Sequence, residues 1–336
     1  MFKEKILKTI KKYSLIQNGD KIIVGLSGGP DSISLINVLD EIRREEDIDL
    51  KFEIIAAHIN HNIREEAKSD ENFVINYCKK KNIEIHVLSI DITKKAKEEK
   101  KGTEETGREV RYQFFEKILR KTQANKIATA HTANDNAETV LMNIIRGSGT
   151  SGLKGIRPIR ENKFIRPLID TTREEIEKYC EEKKLNPRID KTNFENDYTR
   201  NKTRNILIPL IKEKFNPNII MTINRLSDII NEENEYLEKI TKQKYKEIVI
   251  EEKIGDKIIL DLKSFNKQEE IIKKRLILQT INTLQGTTQG IGKVHIEDII
   301  KLCKNNLGNK YLTPNKNIKV LIKNKKIYYS IVINKW

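Results

Sequence analysis

The chain has 336 residues, a formal net charge of +15 and an apolar fraction of 37%, which leaves room for two domains with hydrophobic cores. No apolar run approaches the roughly 20 residues that span a membrane. Three isolated cysteines, Cys78, Cys180 and Cys303, exclude a disulfide framework and the familiar cysteine metal sites. The charged, amphipathic start of the chain is unlike a signal peptide, so we expect a cytoplasmic protein.

The first predicted strand begins at Ile22 and is followed by a glycine-rich turn and then by an apolar helical pattern. The turn consists of Ser27, Gly28, Gly29, Pro30, Asp31 and Ser32. Two glycines without Cβ atoms let backbone N–H groups approach an anion, and the start of the next helix adds partial positive charge. The two serines add hydroxyl groups. This turn can therefore hold a phosphate.

The turn lacks the lysine of a Walker loop and carries Asp31 instead. A carboxylate beside phosphates usually acts through a bridging Mg²⁺. The alternative is a plain glycine turn between a strand and a helix.

Polar side chains follow the second predicted strand, 52–59. His58, Asn60 and His61 stand at its carboxyl end, where ligands of open α/β sheets bind. His58 and His61 can act directly in the chemistry, for instance as metal ligands, although no carboxylate or third ligand is obvious nearby. Alternatively, the two histidines are simply hydrogen-bonded at a strand end.

A helix opening near Gly102 carries Arg108 and Arg111 three residues apart, and hence on one face. Two guanidinium groups on one face can clamp a phosphate. They can also pair locally with neighbouring glutamates. The preceding charge run, 94–101, is expected to be solvated and mobile.

A fourth strand, 126–130, ends at His131 and leads into a helix whose first turn holds Asp135 and Glu138. The two acids share one face and can cap the helix, or they can bind an ammonium group or Mg²⁺. Arg200 and Arg204 also share a face, on a helix that ends the first domain.

The periodicity changes at Asn216, so we predict one domain over 1–215 and another over 216–336. The second begins with a long helix, contains a hairpin at 248–262 and further helices, and ends in strands. Nine lysines and no acid follow Ile299. This charge favours a polyanion such as nucleic acid, although drift in a lysine-rich composition is the alternative.

In order along the chain, these motifs resemble the tRNA(Ile)-lysidine synthetase family of the PP-loop ATP pyrophosphatases. The matching stretches are Ser27–Ser32, His58–Arg64, Gly102–Tyr112, His131–Thr139, Arg146–Gly149, Arg166–Leu168, Asp190–Asn193 and Arg200–Arg204. The resemblance implies an α/β fold: a Rossmann-like PP-loop domain with a parallel sheet, then a mainly helical, tRNA-contacting domain with a few strands. The sequence departs from the family pattern at Asn134 and Asn136, where many relatives carry Asp and Gln.

The resemblance also implies a reaction. ATP adenylates the C2 carbonyl oxygen of the wobble cytidine of an isoleucine tRNA with a CAU anticodon, and pyrophosphate leaves. The ε-amine of free lysine then attacks C2 and displaces AMP to give lysidine. The implied cofactors are ATP and Mg²⁺, the latter held by Asp31, and a homodimer is expected. Rival interpretations are a PP-loop tRNA thiolase, which needs paired cysteines, and a non-catalytic tRNA-binding module.

The resemblance assigns roles by motif position. The phosphate loop with His58 and Asn60 would bind ATP. Catalytic roles fall to Asp31, Asp135, Glu138, Arg108 and Arg111. Substrate binding falls to His131, Asp135, Glu138, Arg200 and Arg204.

Overall fold

A computed structural model describes residues 1–61, 67–188, 199–305 and 310–332. The chain divides into two compact units, Met1–Ile230 and Asn231–Trp336. The division expected from the sequence lies earlier, at 215/216, where the pattern of the long helix begins. The long helix Ile219–Ile248 itself contains the observed division, so the change in periodicity and the change in packing do not coincide.

The first unit contains a six-stranded sheet. Its strands are β1 (Lys21–Gly25), β2 (Glu53–Asn60), β3 (Glu84–Ser89), β4 (Lys126–Ala128), β5 (Ile159–Arg160) and β6 (Phe164–Ile165). Their order is β3-β2-β1-β4-β6-β5, and all neighbours are parallel except β5 and β6. The central strand is apolar on both faces, with Ile22, Ile23 and Val24 fully buried, as expected of a parallel strand covered by helices.

Helices cover both faces of this sheet. The helices in chain order are α1 (Phe2–Lys12), α2 (Pro30–Arg44), α3 (Ala67–Lys81), α4 (Ile92–Glu99), α5 (Thr103–Thr122), α6 (Ala133–Ile145), α7 (Thr150–Leu153), α8 (Arg173–Glu182), α9 (Thr199–Lys202), α10 (Ile208–Lys214) and α11 (Ile219–Ile248), with a π-helical turn at Thr203–Leu207. Leu35 and Leu39 of α2 pack in the core on one face. Phe115 and Ile118 of α5 pack on the other.

The charge run at 94–101 lies mostly in α4, a helix that the sequence pattern did not predict, and most of its side chains are exposed, as expected of a solvated run. The Asp91 side chain accepts a hydrogen bond from the Lys94 N–H and caps the helix. Ile92 and Ala96, four residues apart, are buried beneath the charged face. Two apolar positions and a cap are enough to dock this short helix.

The strand order creates a crevice at the carboxyl ends of the central strands. β1 pairs with β2 on one side and with β4 on the other, so the chain leaves β1 in one direction and later returns across it. Ligands of open α/β sheets bind at such a switch point. The sheet therefore brings the ends of β1, β2 and β4 together.

The second unit contains a five-stranded antiparallel sheet with helices. Its strands are β7 (Val249–Lys253), β8 (Lys257–Asp261), β9 (Tyr311–Asn315), β10 (Ile318–Lys323) and β11 (Lys326–Ile331), in the order β7-β8-β11-β10-β9. Its further helices are α12 (Leu262–Asn266), α13 (Glu270–Gln285) and α14 (Lys293–Asn305). Leu276 and Ile299 share a core with Tyr329. The mainly helical domain with a few strands is thus confirmed.

Gly155 lies where a side chain does not fit. Its φ is +59°, and a Cβ would overlap Oδ1 of Asn136. We expect Gly155→Ala to lower the free energy of unfolding by about 3 kcal/mol, through left-handed strain and overpacking. Gly147→Ala is the matched control, because its φ is +74° with no atom within 4 Å of the added Cβ. Gly147→Ala should lower the free energy of unfolding by the strain alone, about 1–2 kcal/mol. Equal decreases in the two variants, measured by urea denaturation, would contradict the overlap at Gly155.

Candidate active site

The turn after β1 is closed by one hydroxyl group. Oγ of Ser32 accepts hydrogen bonds from the backbone N–H groups of Ser27 and Gly28, both at 3.1 Å. It donates to the carbonyl oxygen of Gly29, also at 3.1 Å. The predicted phosphate loop is therefore preformed around Ser32.

Gly28 and Pro30 set the shape of this loop. The φ of Gly28 is +92°, and a Cβ there would lie 3.3 Å from a methyl group of Val74. Gly29 precedes α2, and Pro30 occupies its first turn, where a missing N–H costs nothing. The amide end of α2 follows the loop directly and can attract an anion.

A cavity of about 620 Å³ opens at the carboxyl ends of β1, β2 and β4. It collects predicted residues from five of the matching stretches, whereas Arg146–Gly149 and Arg166–Leu168 contribute none. They are Ser27, Asp31, Ser32, His58, Asn60, Arg111, His131, Asp135, Arg200 and Arg204. Residues that the sequence did not single out also line it, among them Asp70 and Asn201.

Five predicted residues do not line this cavity: Gly28, Gly29 and Pro30 of the turn, and Arg108 and Glu138. Arg108 is exposed, with its guanidinium carbon 5.3 Å from the centre of the Tyr112 ring. Glu138 is fully buried. Of the two arginines expected to form one clamp, only Arg111 lines the cavity. The motif Asp190–Asn193 and the end of His58–Arg64 lie outside the described residues.

Asp31 is a candidate cation ligand. Its Oδ1 atom is buried and has no hydrogen-bond partner among the described residues. Burial, together with the nearby carboxylate of Asp135, raises the pKa of Asp31 to about 6. A divalent cation would offset both the burial of the Asp31 charge and its repulsion by Asp135. Asp31 is therefore a suitable ligand for the Mg²⁺ predicted at this site.

His58 and His131 are both held by hydrogen bonds. Nδ1 of His58 lies 2.8 Å from the carbonyl oxygen of Leu26, which fixes the proton on Nδ1. Its Nε2 is buried without a partner in the described part of the chain. Nδ1 of His131 lies 2.9 Å from Oγ1 of Thr129. Burial lowers the pKa of His131 to about 4 despite the opposing charge of Asp135, so the ring is neutral at pH 7.

The two acids of α6 and the two arginines predicted to bind substrate form one network. Oδ1 of Asp135 lies 2.9 Å from Nη2 of Arg200 and 3.3 Å from Nη2 of Arg204. Glu138 accepts from Nε of Arg200 at 2.9 Å and from Nε of Arg204 at 2.6 Å. Arg173 adds a third cation, 3.7 Å from the Glu138 carboxylate. No motif or spacing in the sequence indicated Arg173.

Asp135 serves the helix and the site at once. Its Oδ2 accepts the Thr132 N–H at 2.9 Å, while its own N–H donates to Oγ1 of Thr132, which forms a capping box. Burial alone would raise its pKa, but Arg200 and His131 hold the pKa of Asp135 below its ordinary value. The capping and functional interpretations are therefore compatible for this residue.

The two asparagines that depart from the family pattern are structural. Oδ1 of Asn134 accepts the N–H of Arg173 at 3.0 Å. Asn136 accepts the N–H of Ile156 at 2.6 Å and donates to Oδ1 of Asn224 at 2.8 Å. Their amide groups join α6 to neighbouring segments, and neither is among the residues that line the cavity.

The comparisons with known proteins agree with this architecture. A family model described as a PP-loop domain matches residues 1–211. tRNA(Ile)-lysidine synthase of Clostridium acetobutylicum is 45% identical over 311 residues, 92% of this chain and 66% of the relative. The Clostridioides difficile enzyme of the same name is 46% identical over 95% of this chain and 68% of the relative. The chain thus spans about two thirds of the length of these curated relatives.

A solved structure shares the fold. The U34-tRNA thiolase NcsA from Methanococcus maripaludis matches with a TM-score of 0.52 and 20% identity, over 67% of this chain and 78% of that chain. At this identity the likeness concerns the fold alone. The matches in sequence are far stronger, and the chain belongs to the tRNA(Ile)-lysidine synthase (synthetase) family, with residues 1–211 matching the PP-loop domain.

Proposed function

We propose that the protein ligates free lysine to C2 of the wobble cytidine of isoleucine tRNA with a CAU anticodon. ATP adenylates the base with release of pyrophosphate, and lysine then displaces AMP to form lysidine. The observation that carries this proposal is the cavity that places Asp31 and the phosphate loop beside His131 and Asp135. A nucleotide and an amine could meet there.

The phosphate loop would bind the departing pyrophosphate. Its preformed shape fixes the loop and the start of α2 before ATP arrives, so charge developing on a leaving group would be stabilised there at little cost in reorganisation. Arg111, facing the same cavity, would bind the α-phosphate. Asp31 would hold Mg²⁺ together with phosphate oxygens, and the ion when bound would neutralise phosphate charge.

Asp135 would meet the lysine ammonium directly, because it lines the cavity whereas Glu138 is fully buried. A carboxylate with a lowered pKa stays charged at pH 7 and suits an ammonium partner better than it suits proton transfer. Glu138 would hold Arg200 and Arg204 in place. Those two arginines, which face the cavity, would contact the anionic parts of the substrates.

The cysteines favour this proposal over a thiolase. Cys78, Cys180 and Cys303 are all buried and free. Burial raises the pKa of Cys78 and of Cys303 to about 12, and it also raises the pKa of Cys180. Protonated, buried thiols are poor nucleophiles, and none of the three lines the cavity.

Mass spectrometry of nucleosides tests the function. Isoleucine tRNA with a CAU anticodon is incubated with the protein, ATP and lysine, and then digested. Lysidine in the digest supports the ligase. ATP-dependent sulfur incorporation would support the thiolase, and tRNA binding without either product would support the binding module.

We also propose that the second unit contacts tRNA. Lys323 and Lys326 pair across the turn between β10 and β11, and Lys325 lies in the turn itself. Asn324 and Lys325 both have left-handed φ values, as a tight two-residue hairpin requires. The hairpin thus concentrates three lysines at its tip.

Replacing Lys323, Lys325 and Lys326 with glutamine is expected to weaken tRNA binding and to leave ATP affinity unchanged. Each lost phosphate contact should reduce the slope of log K against log salt by about 0.7–0.9. Binding titrations at several salt concentrations measure this.

A second triple variant controls for the loss of net charge. Lys94, Lys97 and Lys100 are exposed lysines on and after α4, and their replacement with glutamine changes the charge equally. Equal loss of tRNA affinity in both variants would contradict a specific role for the hairpin.

Among the described residues, no helix is both long and apolar enough to cross a membrane. A cytoplasmic location, where tRNA is found, and a homodimer remain parts of the proposal.

A further inference from the structure

Arg166 has no role in the mechanism above, although it opens one of the family motifs. It follows β6 directly, at the carboxyl edge of the sheet, and β6 pairs with β4. Only 7% of its surface is exposed. The N–H of Thr129, which lines the cavity, donates to the carbonyl oxygen of Ile165 at 3.0 Å, so Arg166 lies beside the cavity without being among the residues that line it.

One edge of the Arg166 guanidinium group has no hydrogen-bond partner among the described residues. Nη1 donates to the backbone carbonyl oxygen of Arg157. Nε is buried without a hydrogen-bond partner, and Nη2 forms no hydrogen bond within the described ranges of the chain. Nε and Nη2 together make the side of the fork that binds two oxygens of a phosphate or carboxylate.

The neighbourhood of Arg166 is positive. Burial, reinforced by Arg160, lowers the pKa of Arg166 to about 10. No carboxylate forms an ion pair with Arg166 in the part of the chain that the structure describes. A buried cation without a partner is costly, so an anion bound at this edge of the guanidinium group would be strongly favoured.

An arginine packed on two aromatic rings lies in the same part of the sheet edge, since Phe164 precedes Arg166 by two residues in the chain. The Arg160 guanidinium carbon lies 4.8 Å from the centre of the Tyr112 ring and 4.3 Å from that of Phe164. Nη1 of Arg160 also donates to the Tyr112 hydroxyl oxygen at 3.3 Å. Tyr112 and Phe164 meet edge to face at 5.2 Å. Arginine planes held on aromatic rings are typical of surfaces that bind single-stranded RNA.

We propose that Arg166 binds a phosphodiester of the RNA substrate beside the modified nucleotide, with Arg160 and Tyr112 forming the wall of the subsite. The proposal rests on the proposed function, which supplies the RNA. The phosphates of ATP are the other anions that could bind to this edge of Arg166. They are disfavoured because the phosphate loop and Arg111 line the cavity, whereas Arg166 does not.

The first test compares Arg166→Gln with Arg166→Lys in binding to the anticodon stem-loop. Glutamine can still donate to the Arg157 carbonyl but has no charge. We expect about a tenfold loss of affinity and a salt slope shallower by about 0.7, the value for one contact in single-stranded RNA. Lysine should restore the slope but not all of the affinity, because it lacks the fork. Affinity for a non-hydrolysable ATP analogue should not change.

Arg120→Gln is the matched control, since Arg120 is an exposed arginine in the last turn of α5. It should leave the affinity and the slope as in the wild type. If the role of Arg166 is purely structural, Arg166→Gln will have a lower melting temperature and an unchanged salt slope. That result would overturn the proposal. Loss of ATP affinity instead of RNA affinity would also overturn it.

A second test needs no folded glutamine variant. Stem-loops with one neutral methylphosphonate at successive positions are bound to the wild type and to Arg166→Lys. One position next to the target cytidine should weaken wild-type binding about tenfold, and it should weaken binding of the lysine variant less. Equal losses at every position in both proteins would overturn the subsite. Absence of lysidine formation by the wild type would instead refute the proposed function, which this binding assay does not measure.

Discussion

Asp31→Ala and Ser32→Ala should each slow ATP-dependent release of pyrophosphate by about 10²–10³-fold, the usual cost of one preorganised contact to developing charge. The two variants remove different things. Asp31→Ala deletes a carboxylate whose Oδ1 has no partner among the described residues, so the fold should keep its stability. Ser32→Ala deletes the hydroxyl group that closes the loop around the amides of Ser27 and Gly28, so it should also loosen the loop.

The measurement is pyrophosphate release with tRNA and ATP, before and after lysine is added. Asp47→Ala is a control with the same chemical change at an exposed position, and its turnover should equal that of the wild type. Near wild-type turnover in either site variant would remove the phosphate loop from the mechanism.

Asp135→Asn and Glu138→Gln should separate charge in the site from charge beneath it. Asparagine keeps a side-chain oxygen that can accept the Thr132 N–H in the capping box, so Asp135→Asn should keep the fold. It should raise the KM for lysine or lower kcat by at least about tenfold, which is roughly 1.4 kcal/mol. Glu138→Gln removes the buried partner of Arg200 and Arg204. It should therefore lower the free energy of unfolding by about 3 kcal/mol.

Steady-state kinetics with varied lysine and urea denaturation measure the two effects. Adenylation of tRNA without lysine should be affected less than the complete reaction in Asp135→Asn. If that variant uses lysine normally, Asp135 is only a helix cap. The amine site would then have to be sought near His131 and Arg204.

Much of the fold could be predicted because its signals are local. A β-branched run, a glycine turn and an apolar helical pattern lie within Ile22–Ser32 and the residues just after it, and each reflects preferences of neighbouring residues. Helix α4 was missed because Lys94 and its charged neighbours dominate the sequence, whereas two buried positions fix the helix. The short strands β5 and β6 were missed because two residues carry no periodicity.

The site was predictable only in its parts. Spacing of three or four residues indicated that Asp135 and Glu138 share a face, and likewise Arg200 and Arg204. The acids bind the arginines because segments more than sixty residues apart pack together. Residue spacing along the chain does not reveal such packing. The same holds for Arg108, which shares a helix face with Arg111 but stacks on Tyr112 outside the cavity.

The pairing of Glu138 with Arg200 and Arg204 has a consequence for the order in which the chain assembles during synthesis. Strands β1–β4 are complete by Ala128, and the start of α6 follows at once. A carboxylate cannot be buried without a countercharge, and both arginines emerge from the ribosome some sixty residues later. We therefore expect the nascent sheet to form first, with Glu138 still hydrated, and the arginine side of the cavity to close only when residues 199–207 have been translated.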